Sequence, residues 1–436
     1  MSTASIVSRL KAVVPEYRID DGGDYDFRFG NGGKVSVYPK TEQEIADILA
    51  YANESGQTVS VMGSGTKKGF GGLMESADIL ISLRDYKGIV EHVQGDMTVT
   101  VKAGTLFGDL QHFLAGFQQK VAIDPFTPEA ATVGGVIAAN DSGPKRFRHG
   151  SARDSVIGMR IVYPDGTIIH TGGKVVKNVA GYDMNKLFIG SMGTLGVISE
   201  ATFKLRPLPK YESVAFVTFP ANHMEEIRRF AIQLLDAILE PVAIELLNPT
   251  LAANLTGHGC TTMVVGFEDV ESSVLYQENM LSTMKPSGSE LFILSEEETK
   301  QFWHAFYSKR NDDNEFFKAG IKIGVVNSDV VSIIDETIKL ENSEYIEMEA
   351  HGGLGHGLCR INLYGEEAKV IDAIKQMRNK AEQLGGYAVI THLPLTLRKE
   401  LSVWGEKPPY FFLLEGIKKE IDPKGILNPY RFVGGI

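Results

Sequence analysis

The apolar positions of the N-terminal half alternate with glycine turns over short distances. In the first 200 residues, β-branched segments such as KVSVYP, TVSVMG, MTVTVKAG and VIGMRIVYPDGTIIHTGG are separated by glycines. This pattern is typical of strands, and Pro164-Asp165-Gly166 between two apolar segments predicts a hairpin turn. The stretch TEQEIADILAYANESG predicts a helix, because Thr41 and Glu44 have the spacing of a capping box and Gly56 can end the helix.

From residue 211 the pattern changes to longer alternating elements. Apolar strand segments alternate with helical stretches near 222–238, 270–285, 328–340 and 365–384, in a repeated split β-α-β order. This order favours a ferredoxin-like antiparallel sheet with helices on one face, and therefore an α+β protein. The segment RPLPKY, with two prolines and exposed charges, suits a linker near 207–211. The predicted division is a helical lead-in at 1–29, a first domain at 30–210, a second domain at 211–420 and a tail at 421–436 that returns to the first domain.

Composition narrows the class of protein. The chain has 436 residues and a formal net charge of −11, which argues against a nucleic-acid surface or an anionic membrane surface as the main partner. No apolar stretch reaches the roughly 18 residues of a membrane span, and the first twenty residues lack the pattern of a secretory signal. Two cysteines, Cys260 and Cys359, fit a reducing compartment and cannot form a cysteine-ligated iron–sulfur cluster. We expect a cytoplasmic protein.

The most unusual segment is VMGSGTKKGFGG, residues 61–72, with five glycines in twelve positions. It does not fit a dinucleotide fingerprint, because Lys68 stands where the third glycine belongs, nor a P-loop, because Gly69 follows the lysines. A third interpretation is a nest in which the backbone N–H groups of 63–67 converge on an anion. A flexible hairpin loop is the alternative, and the loop alone leaves both open. Two further stretches rich in small residues, at 125–154 and 190–205, indicate surfaces that something flat or elongated approaches closely.

Six segments together resemble a known family. They are YPKTEQEIADILAYA (38–52), GSGTK (63–67), ATVGGVIAA (131–139), GPKRFRHGSARDSVIGMRIVYPDG (143–166), KNVAGYDMNKLFIGSMGTLGVI (177–198) and GILNPYR (425–431). In this order and spacing the chain resembles the flavoprotein superfamily of vanillyl-alcohol oxidase and p-cresol methylhydroxylase (PCMH). Within it, KNVAGYD and Met192 in GSMGTLG resemble the FAD-binding E subunits of bacterial glycolate oxidases, since the catalytic D-type subunits usually carry a glutamate in place of that methionine.

The resemblance implies a fold and a cofactor. The fold would be a PCMH-type FAD-binding domain of two α/β subdomains, followed by a ferredoxin-like antiparallel-sheet cap domain. The loop would offer backbone N–H groups to the diphosphate of FAD, Asn428 would reach the flavin ring, and Val197 and Ile198 would bind the adenine side through their backbone. By the same resemblance, the diphosphate loop comprises Gly63, Ser64, Gly65, Thr66 and Lys67, and the ribityl and isoalloxazine surface comprises Thr132, Gly134, Gly135, Ser142 and Gly143.

At two positions the sequence departs from the family pattern, and both departures change what we expect of FAD binding. The arginine that often precedes the glycine loop is Met62 here, so Lys67 is expected to supply the missing positive charge. The histidine that forms a covalent flavin bond in some members is absent from GSGTK, so we expect FAD to be bound non-covalently.

Candidates for the chemistry lie in EAHGGLGHGLCRINL, residues 349–363. Oxidation of a 2-hydroxy acid requires a base for the hydroxyl proton and a cation for the carboxylate, and His351, His356 and Arg360 supply these residue types. Hydrogen-bonded turn histidines are the alternative. The histidine spacing is shorter than in D-type relatives and Leu354 replaces their aspartate, so no metal site is expected. His392, Lys322 and Arg310 are weaker candidates, the NDDNE cluster at 311–315 is expected at the surface, and Phe302, Trp303 and Phe306 are expected in a core.

The resemblance implies FAD-dependent oxidation of glycolate or a similar 2-hydroxy acid to the 2-oxo acid. Because two cysteines cannot hold iron–sulfur clusters, a D-type flavin subunit and an iron–sulfur subunit are implied as partners. Two alternatives stay open: a free-standing D-lactate or D-2-hydroxy-acid dehydrogenase, and a non-catalytic FAD-binding subunit that relays electrons or acts as a scaffold.

Overall fold

The computed structural model describes residues 3–23, 28–173, 182–308 and 317–436. Part of the KNVAGYD motif, Arg310 and the NDDNE cluster lie outside these residues. The chain forms two compact units. Unit 1 contains Met1–Ser142, Gly150–Leu208 and Leu393–Ile436, and unit 2 contains Gly143–His149 and Pro209–His392.

The first sheet of unit 1 has four strands in the order β1-β2-β4-β3, with β2, β3 and β4 parallel to one another. The helix between β2 and β3 begins and ends as predicted: Thr41 and Glu44 form the capping box, and Gly56 ends it in the left-handed conformation with φ 69°. The elements are α1 (Thr3–Leu10), β1 (Ile19–Asp20), β2 (Gly32–Val37), α2 (Glu42–Ser55), β3 (Val59–Met62) and β4 (Ser76–Ser82), with 3-10 turns at Glu16–Arg18 and Leu83–Asp85.

The second sheet of unit 1 has five antiparallel strands in the order β5-β6-β10-β8-β9. The predicted hairpin at 164–166 is confirmed, since it joins β8 to β9 and Gly166 adopts φ 87°. The elements are β5 (Ile89–Val93), β6 (Thr98–Lys102), α3 (Phe107–Ala115), β7 (Gln119–Lys120), α4 (Val133–Ala139), α5 (Arg146–His149), α6 (Ala152–Ser155), β8 (Val156–Val162), β9 (Ile168–Gly172), α7 (Asn185–Phe188), β10 (Val197–Lys204) and β11 (Arg206–Pro207). The short strands β7 and β11 pair with each other.

Unit 2 contains one eight-stranded antiparallel sheet in the order β15-β12-β14-β13-β17-β18-β16-β19. Its elements are β12 (Tyr211–Phe219), α8 (Met224–Asp236), β13 (Ala243–Leu247), α9 (Pro249–Thr256), β14 (Thr261–Asp269), α10 (Glu271–Met284), β15 (Glu290–Ile293), α11 (Glu296–Tyr307), β16 (Phe317–Gly324), α12 (Val330–Glu344), β17 (Glu347–Gly353), β18 (Leu358–Gly365), α13 (Glu367–Gln383) and β19 (Tyr387–His392), with a 3-10 turn at Asn327–Asp329.

The order of these strands is that of two ferredoxin-like motifs joined edge to edge. Each half runs strand, helix, strand, strand, helix, strand, with the additional helix α9 between β13 and β14 in the first half, and strands β13 and β17 connect the halves. The structure therefore confirms the α+β fold class and the repeated split β-α-β arrangement. The expected core residues Phe302, Trp303 and Phe306 are buried on α11.

The last part of the chain belongs to unit 1. It contains α14 (Leu395–Arg398), α15 (Phe411–Ile421) and a 3-10 turn at Val433–Gly435. The predicted second domain extends to residue 420, whereas 393–420 groups with unit 1 because Leu393 N donates to Gly69 O over 3.1 Å and Trp404 stacks on Phe70.

A second difference concerns residues 143–149, which the sequence assigns to the first domain. They group with unit 2, where Lys145 Nζ lies 2.5 Å from the Glu268 carboxylate. In the part of the chain that the structure describes, no helix is both long and apolar enough to cross a membrane.

Candidate functional site

Two adjoining cavities lie in unit 1. Their empty volumes are about 590 and 420 Å³, including space that is open to solvent. The segments that surround them are the glycine loop after β3, the start of α4, the turn before β10 and the C-terminal tail. We call the larger one the loop cavity and the smaller one the apolar cavity. Six residues line both and make them continuous: Val61, Gly63, Thr132, Gly135, Ala138 and Met192.

The predicted cofactor residues lie along this pair of cavities, with two exceptions. Ser142 is buried but lines neither cavity, and Gly143 belongs to unit 2. The loop cavity is lined by Gly63, Ser64, Gly65, Thr66, Lys67, Thr132 and Gly135, and the apolar cavity by Gly63, Thr132, Gly134, Gly135, Val197, Ile198 and Asn428.

The glycine at position 63 is required by the packing of the protein itself. Thr132 caps α4, and its Oγ1 accepts a hydrogen bond from Gly135 N over 3.3 Å. A Cβ on residue 63 would overlap this same Oγ1 atom. The bare backbone of the loop and the start of α4 therefore approach each other closely, and a side chain at 63 would separate them.

Asn428 ties the tail to both sides of the apolar cavity. Its Oδ1 accepts from Val61 N over 2.9 Å, and its Nδ2 donates to Met192 O and Gly193 O over 3.1 and 3.2 Å. The resemblance assigns the side chain to the flavin ring. In the structure, its amide hydrogen-bonds the backbone of the protein, so its evident role is to hold β3 against the turn at 192–193.

A buried ion pair supports the same region. Lys418 Nζ donates to Asp422 Oδ2 over 2.7 Å, to Thr194 O over 2.8 Å and to Leu427 O over 3.0 Å. Burial lowers the pKa of Lys418, although the Asp422 carboxylate opposes this shift. The pair therefore connects α15, the turn before β10 and the tail at the residue that precedes Asn428.

The charged residues that line the loop cavity are cationic. Among the described residues, its lining includes Lys67, Lys68 and Arg431 and no acidic residue. Lys67 Nζ lies 2.8 Å from Oδ2 of Asp141, a buried carboxylate, so the positive charge expected to replace the missing arginine already has a counter-ion. A cationic cavity with bare backbone at its wall fits an anionic group such as the diphosphate of FAD.

Arg431 is the functional candidate that the sequence analysis missed. Its Nε donates to Phe70 O over 2.9 Å and its Nη2 to Lys67 O over 3.0 Å. Burial, together with the nearby Arg398 charge, lowers the pKa of Arg431 to about 10. The segment GILNPYR contains this arginine, so the signal was present in the same motif that pointed to Asn428.

In unit 2, Glu245 connects the two candidate histidines. It lies on β13 and is buried, and its Oε2 is 2.7 Å from His351 Nδ1 while its Oε1 is 3.3 Å from His356 Nε2. Burial alone would raise the pKa of Glu245, but the interactions with the two histidines outweigh it and lower the pKa. An ionised carboxylate therefore lies between two imidazoles.

The two histidines have different hydrogen-bond roles. Because Glu245 accepts at His351 Nδ1, that nitrogen carries the proton and Nε2 is the proton-accepting atom of the neutral ring. In His356, Nδ1 accepts from Leu358 N over 3.2 Å, which leaves the proton on Nε2 towards Glu245. The arrangement favours His351 as a base and His356 as a support for Glu245.

Strand register aligns the base candidate with two cations. His351 on β17 is directly opposite Arg360 on β18, and Arg360 is directly opposite Lys322 on β16. Directly opposite residues share a face of the sheet, with neighbouring strands about 5 Å apart. The helix α12 covers the other face, since a Cβ on Gly352 would lie 2.6 Å from Val330 Cγ1. We call His351, Arg360 and Lys322 the polar row.

The remaining candidates have other surroundings. His392 ends β19 opposite Gly320. Burial raises the pKa of the Cys359 thiol, with a contribution from Glu245, so this cysteine is protonated and not a nucleophile.

Within the described ranges, no group of three histidine, cysteine, aspartate or glutamate residues could hold a metal ion.

Comparisons with known proteins agree with this geometry. Residues 34–172 match the family described as "FAD binding domain". The chain is 27% identical to the mitochondrial D-lactate dehydrogenase [cytochrome] of Arabidopsis thaliana, covering 98% of this chain and 80% of that protein. It is 26% identical to the D-lactate dehydrogenase of Archaeoglobus fulgidus, covering 99% of each, and 24% identical to glycolate oxidase subunit GlcD of Bacillus subtilis, covering 90% and 87%.

Solved structures show the same fold at low sequence identity. The 4-ethylphenol oxidase from Gulosibacter chungangensis superposes with a TM-score of 0.77 at 15% identity, over 98% of this chain and 96% of that one. A p-cresol methylhydroxylase with substrate bound gives 0.76 at 14%, with the same coverage. The chain therefore has the PCMH-type fold with an FAD-binding domain at residues 34–172, and it is an FAD-dependent oxidoreductase.

Proposed function

We propose that the protein oxidises a small 2-hydroxy acid, such as glycolate or D-lactate, to the corresponding 2-oxo acid. The observation that carries this proposal is the polar row, in which a base candidate supported by an ionised carboxylate is aligned with two cations on one sheet face. The relatives named as D-lactate dehydrogenases and as a glycolate oxidase subunit support the same substrate class.

The residues of the polar row would have different roles in the reaction. The His351 Nε2 atom would accept the proton of the substrate hydroxyl, while Glu245 holds the ring in the required tautomer and stabilises the imidazolium. Arg360 would bind the substrate carboxylate through two parallel N–H donors, and Lys322 would add a point charge beside it. When bound, FAD supplies the acceptor for the two electrons that leave the substrate carbon.

Unit 1 has the residues that would hold FAD. The loop cavity, with its cations and bare backbone, suits the diphosphate, and the apolar cavity suits an uncharged part of the cofactor. By resemblance, that part is the adenine side at Val197 and Ile198.

Within this function, we propose a role as the E-type FAD-binding subunit of a cytoplasmic glycolate oxidase-like complex. The two cysteines, Cys260 and Cys359, are too few to hold a cysteine-ligated iron–sulfur cluster, so electrons would leave through partner subunits. A second candidate is a D-lactate dehydrogenase that acts without such partners, which the match over 99% of both chains to the Archaeoglobus protein supports.

Anaerobic reduction of the bound flavin tests the proposal. We expect glycolate or D-lactate to bleach the flavin absorbance, and His351→Gln to slow this step by about 10²- to 10⁴-fold while the flavin stays bound. His223→Gln is the matched control, because the exposed His223 side chain lies outside the polar row and hydrogen-bonds Ala221 O, two positions earlier in the chain. A flavin that dithionite reduces but neither acid reduces, with or without partner subunits, would contradict the proposed substrate class. Reduction that needs the partner subunits would support the electron-relay alternative instead.

A further inference from the structure

The loop cavity contains an excess of positive charge in an acidic protein. The chain has a net charge of −11, yet the part of the cavity lining that the structure describes has three cationic residues and no carboxylate. The apolar cavity beside it is lined by no charged residue at all among those described. The charge is therefore concentrated at one end of the continuous site.

Of the three cations, Arg431 differs from Lys67 in its partners. Lys67 has Asp141 as its counter-ion. Among the described residues, Arg431 donates hydrogen bonds only to the carbonyl oxygens of Phe70 and Lys67. The like charge of Arg398 repels it and contributes to the lowering of its pKa. A guanidinium has five N–H donors, so three donors of Arg431 have no protein acceptor.

The two hydrogen bonds fix the orientation of this guanidinium. Nε and Nη2 lie on one edge of the planar group, and both are held by the glycine loop whose backbone N–H groups would face the cofactor. The adjacent edge, formed by Nη1 and the second N–H of Nη2, has two parallel donors for an oxyanion, and planar guanidinium groups bind phosphate oxygens in a bidentate manner.

We propose that Arg431 is the cationic anchor for the diphosphate of FAD, in place of the arginine that Met62 replaces, and that the C-terminal tail delivers it to the loop. This inference depends on FAD as the cofactor and not on the identity of the hydroxy acid. The C-terminal tail would then support the cavity walls through Asn428 and also bind the cofactor directly through Arg431.

Ligands that contain different parts of FAD test this role in the apoprotein. We expect Arg431→Met to weaken binding of FAD and of ADP by roughly 10- to 100-fold and to leave the affinity for riboflavin, which has no phosphate, unchanged. Arg431→Lys keeps the charge but not the planar fork, so its loss should be intermediate. The measurements are fluorescence titration for the flavins and isothermal titration calorimetry for ADP.

Lys424→Met is the matched control. It removes one positive charge from the same tail, but Lys424 is exposed and bonds Asn53 O outside the cavities, so binding of all three ligands should be unchanged. The affinity for FAD should also depend less on salt concentration in Arg431→Met than in the parent.

An unchanged affinity for ADP in Arg431→Met, or a riboflavin affinity that falls as far as that for FAD, would overturn the proposal. If Arg431→Met does not fold, Arg431→Lys decides in the same way, because a purely structural role predicts equal losses for ADP and riboflavin. No arm of the experiment uses a hydroxy acid, so failure of the proposed function would not affect the result.

Discussion

The Asn428 side chain accepts a hydrogen bond from the backbone N–H of Val61, although 367 positions separate the two residues. The same amide donates to the carbonyls of Met192 and Gly193. One tail residue therefore holds together two walls of the apolar cavity that are distant in sequence.

Replacement of this residue should destabilise unit 1. Asn428→Ala would leave a buried N–H and two carbonyl oxygens without their partner, at a cost of about 1–3 kcal/mol. We expect a lower unfolding temperature and weaker retention of FAD, measured by thermal unfolding and by flavin content after gel filtration. Asn342→Ala is the control, because Asn342 lies exposed on α12 and its side chain donates to Ile338 O of the same helix. Equal unfolding temperatures for the two variants would contradict the bridging role.

Gly63→Ala should disturb the site through Thr132. The new Cβ would overlap Thr132 Oγ1, and overpacking of this kind costs typically 1–3 kcal/mol. We expect weaker FAD binding, with part of the loss restored in the double variant that also carries Thr132→Ala. Gly95→Ala is the matched control, since nothing lies within 4 Å of its Cβ position. A double variant whose two effects simply add would show that the two positions are not coupled.

The Glu245 carboxylate should stabilise the fold in a pH-dependent manner. Its pKa is lowered from the ordinary value of 4.5, so the stabilisation is complete above that pH and is lost as the pH falls through the lower, folded-state pKa. We expect Glu245→Gln to cost about 1–3 kcal/mol at neutral pH, and the gap to the parent to narrow below pH 4.5. Chemical unfolding at a series of pH values measures this gap.

The control for that series is Glu240→Gln, in which the carboxylate is 60% exposed. It should shift the unfolding midpoint little at any pH. A gap between parent and Glu245→Gln that stays constant from pH 7 to pH 3 would show that folding does not lower the pKa of this carboxyl group.

Arg360 should act on substrate binding more than on turnover. Arg360→Lys keeps the charge but loses bidentate geometry, so we expect KM for the hydroxy acid to rise about tenfold with a smaller change in kcat. Steady-state kinetics with an artificial electron acceptor separates the two constants. Arg229→Lys, an exposed change on α8, is the control. A lower kcat at unchanged KM would assign Arg360 to a different step.

Acid should release the flavin. Among the described residues, neither cavity is lined by a histidine, cysteine or tyrosine that could form a covalent bond to the ring. Precipitation with trichloroacetic acid is therefore expected to leave the yellow colour in the supernatant. A coloured pellet would show a covalent attachment.

Local features of this fold could be predicted from sequence because their causes are local. The capping box at Thr41 and Glu44, the hairpin at 164–166 and the repeated strand and helix pattern each depend on residues close together along the chain. Strand register does not, because it depends on the pairing of distant segments. Sequence alone makes Lys322 a weak candidate, because a strand-edge lysine is usually just solvated, whereas the register of β16 with β18 aligns it with Arg360.

The role of Glu245 is even harder to predict from sequence, because it too depends on the pairing of distant strands. It lies 106 positions before His351, in an apolar strand segment where one glutamate gives no signal of its role. Only the pairing of β13 with β17, the strands that join the two ferredoxin-like motifs, brings the carboxylate to the histidines. Arg431 is a different case, because it was visible in a motif and only its contacts with the loop identify it.

The contact between the tail and the glycine loop also sets an order of events during biosynthesis. Val61 leaves the ribosome long before Asn428 and Arg431, and at roughly 5–20 residues per second the interval is about 20–70 s. During that time the nascent chain lacks one wall of the nucleotide pocket. Capture of the cofactor is thus expected only after translation has passed residue 431.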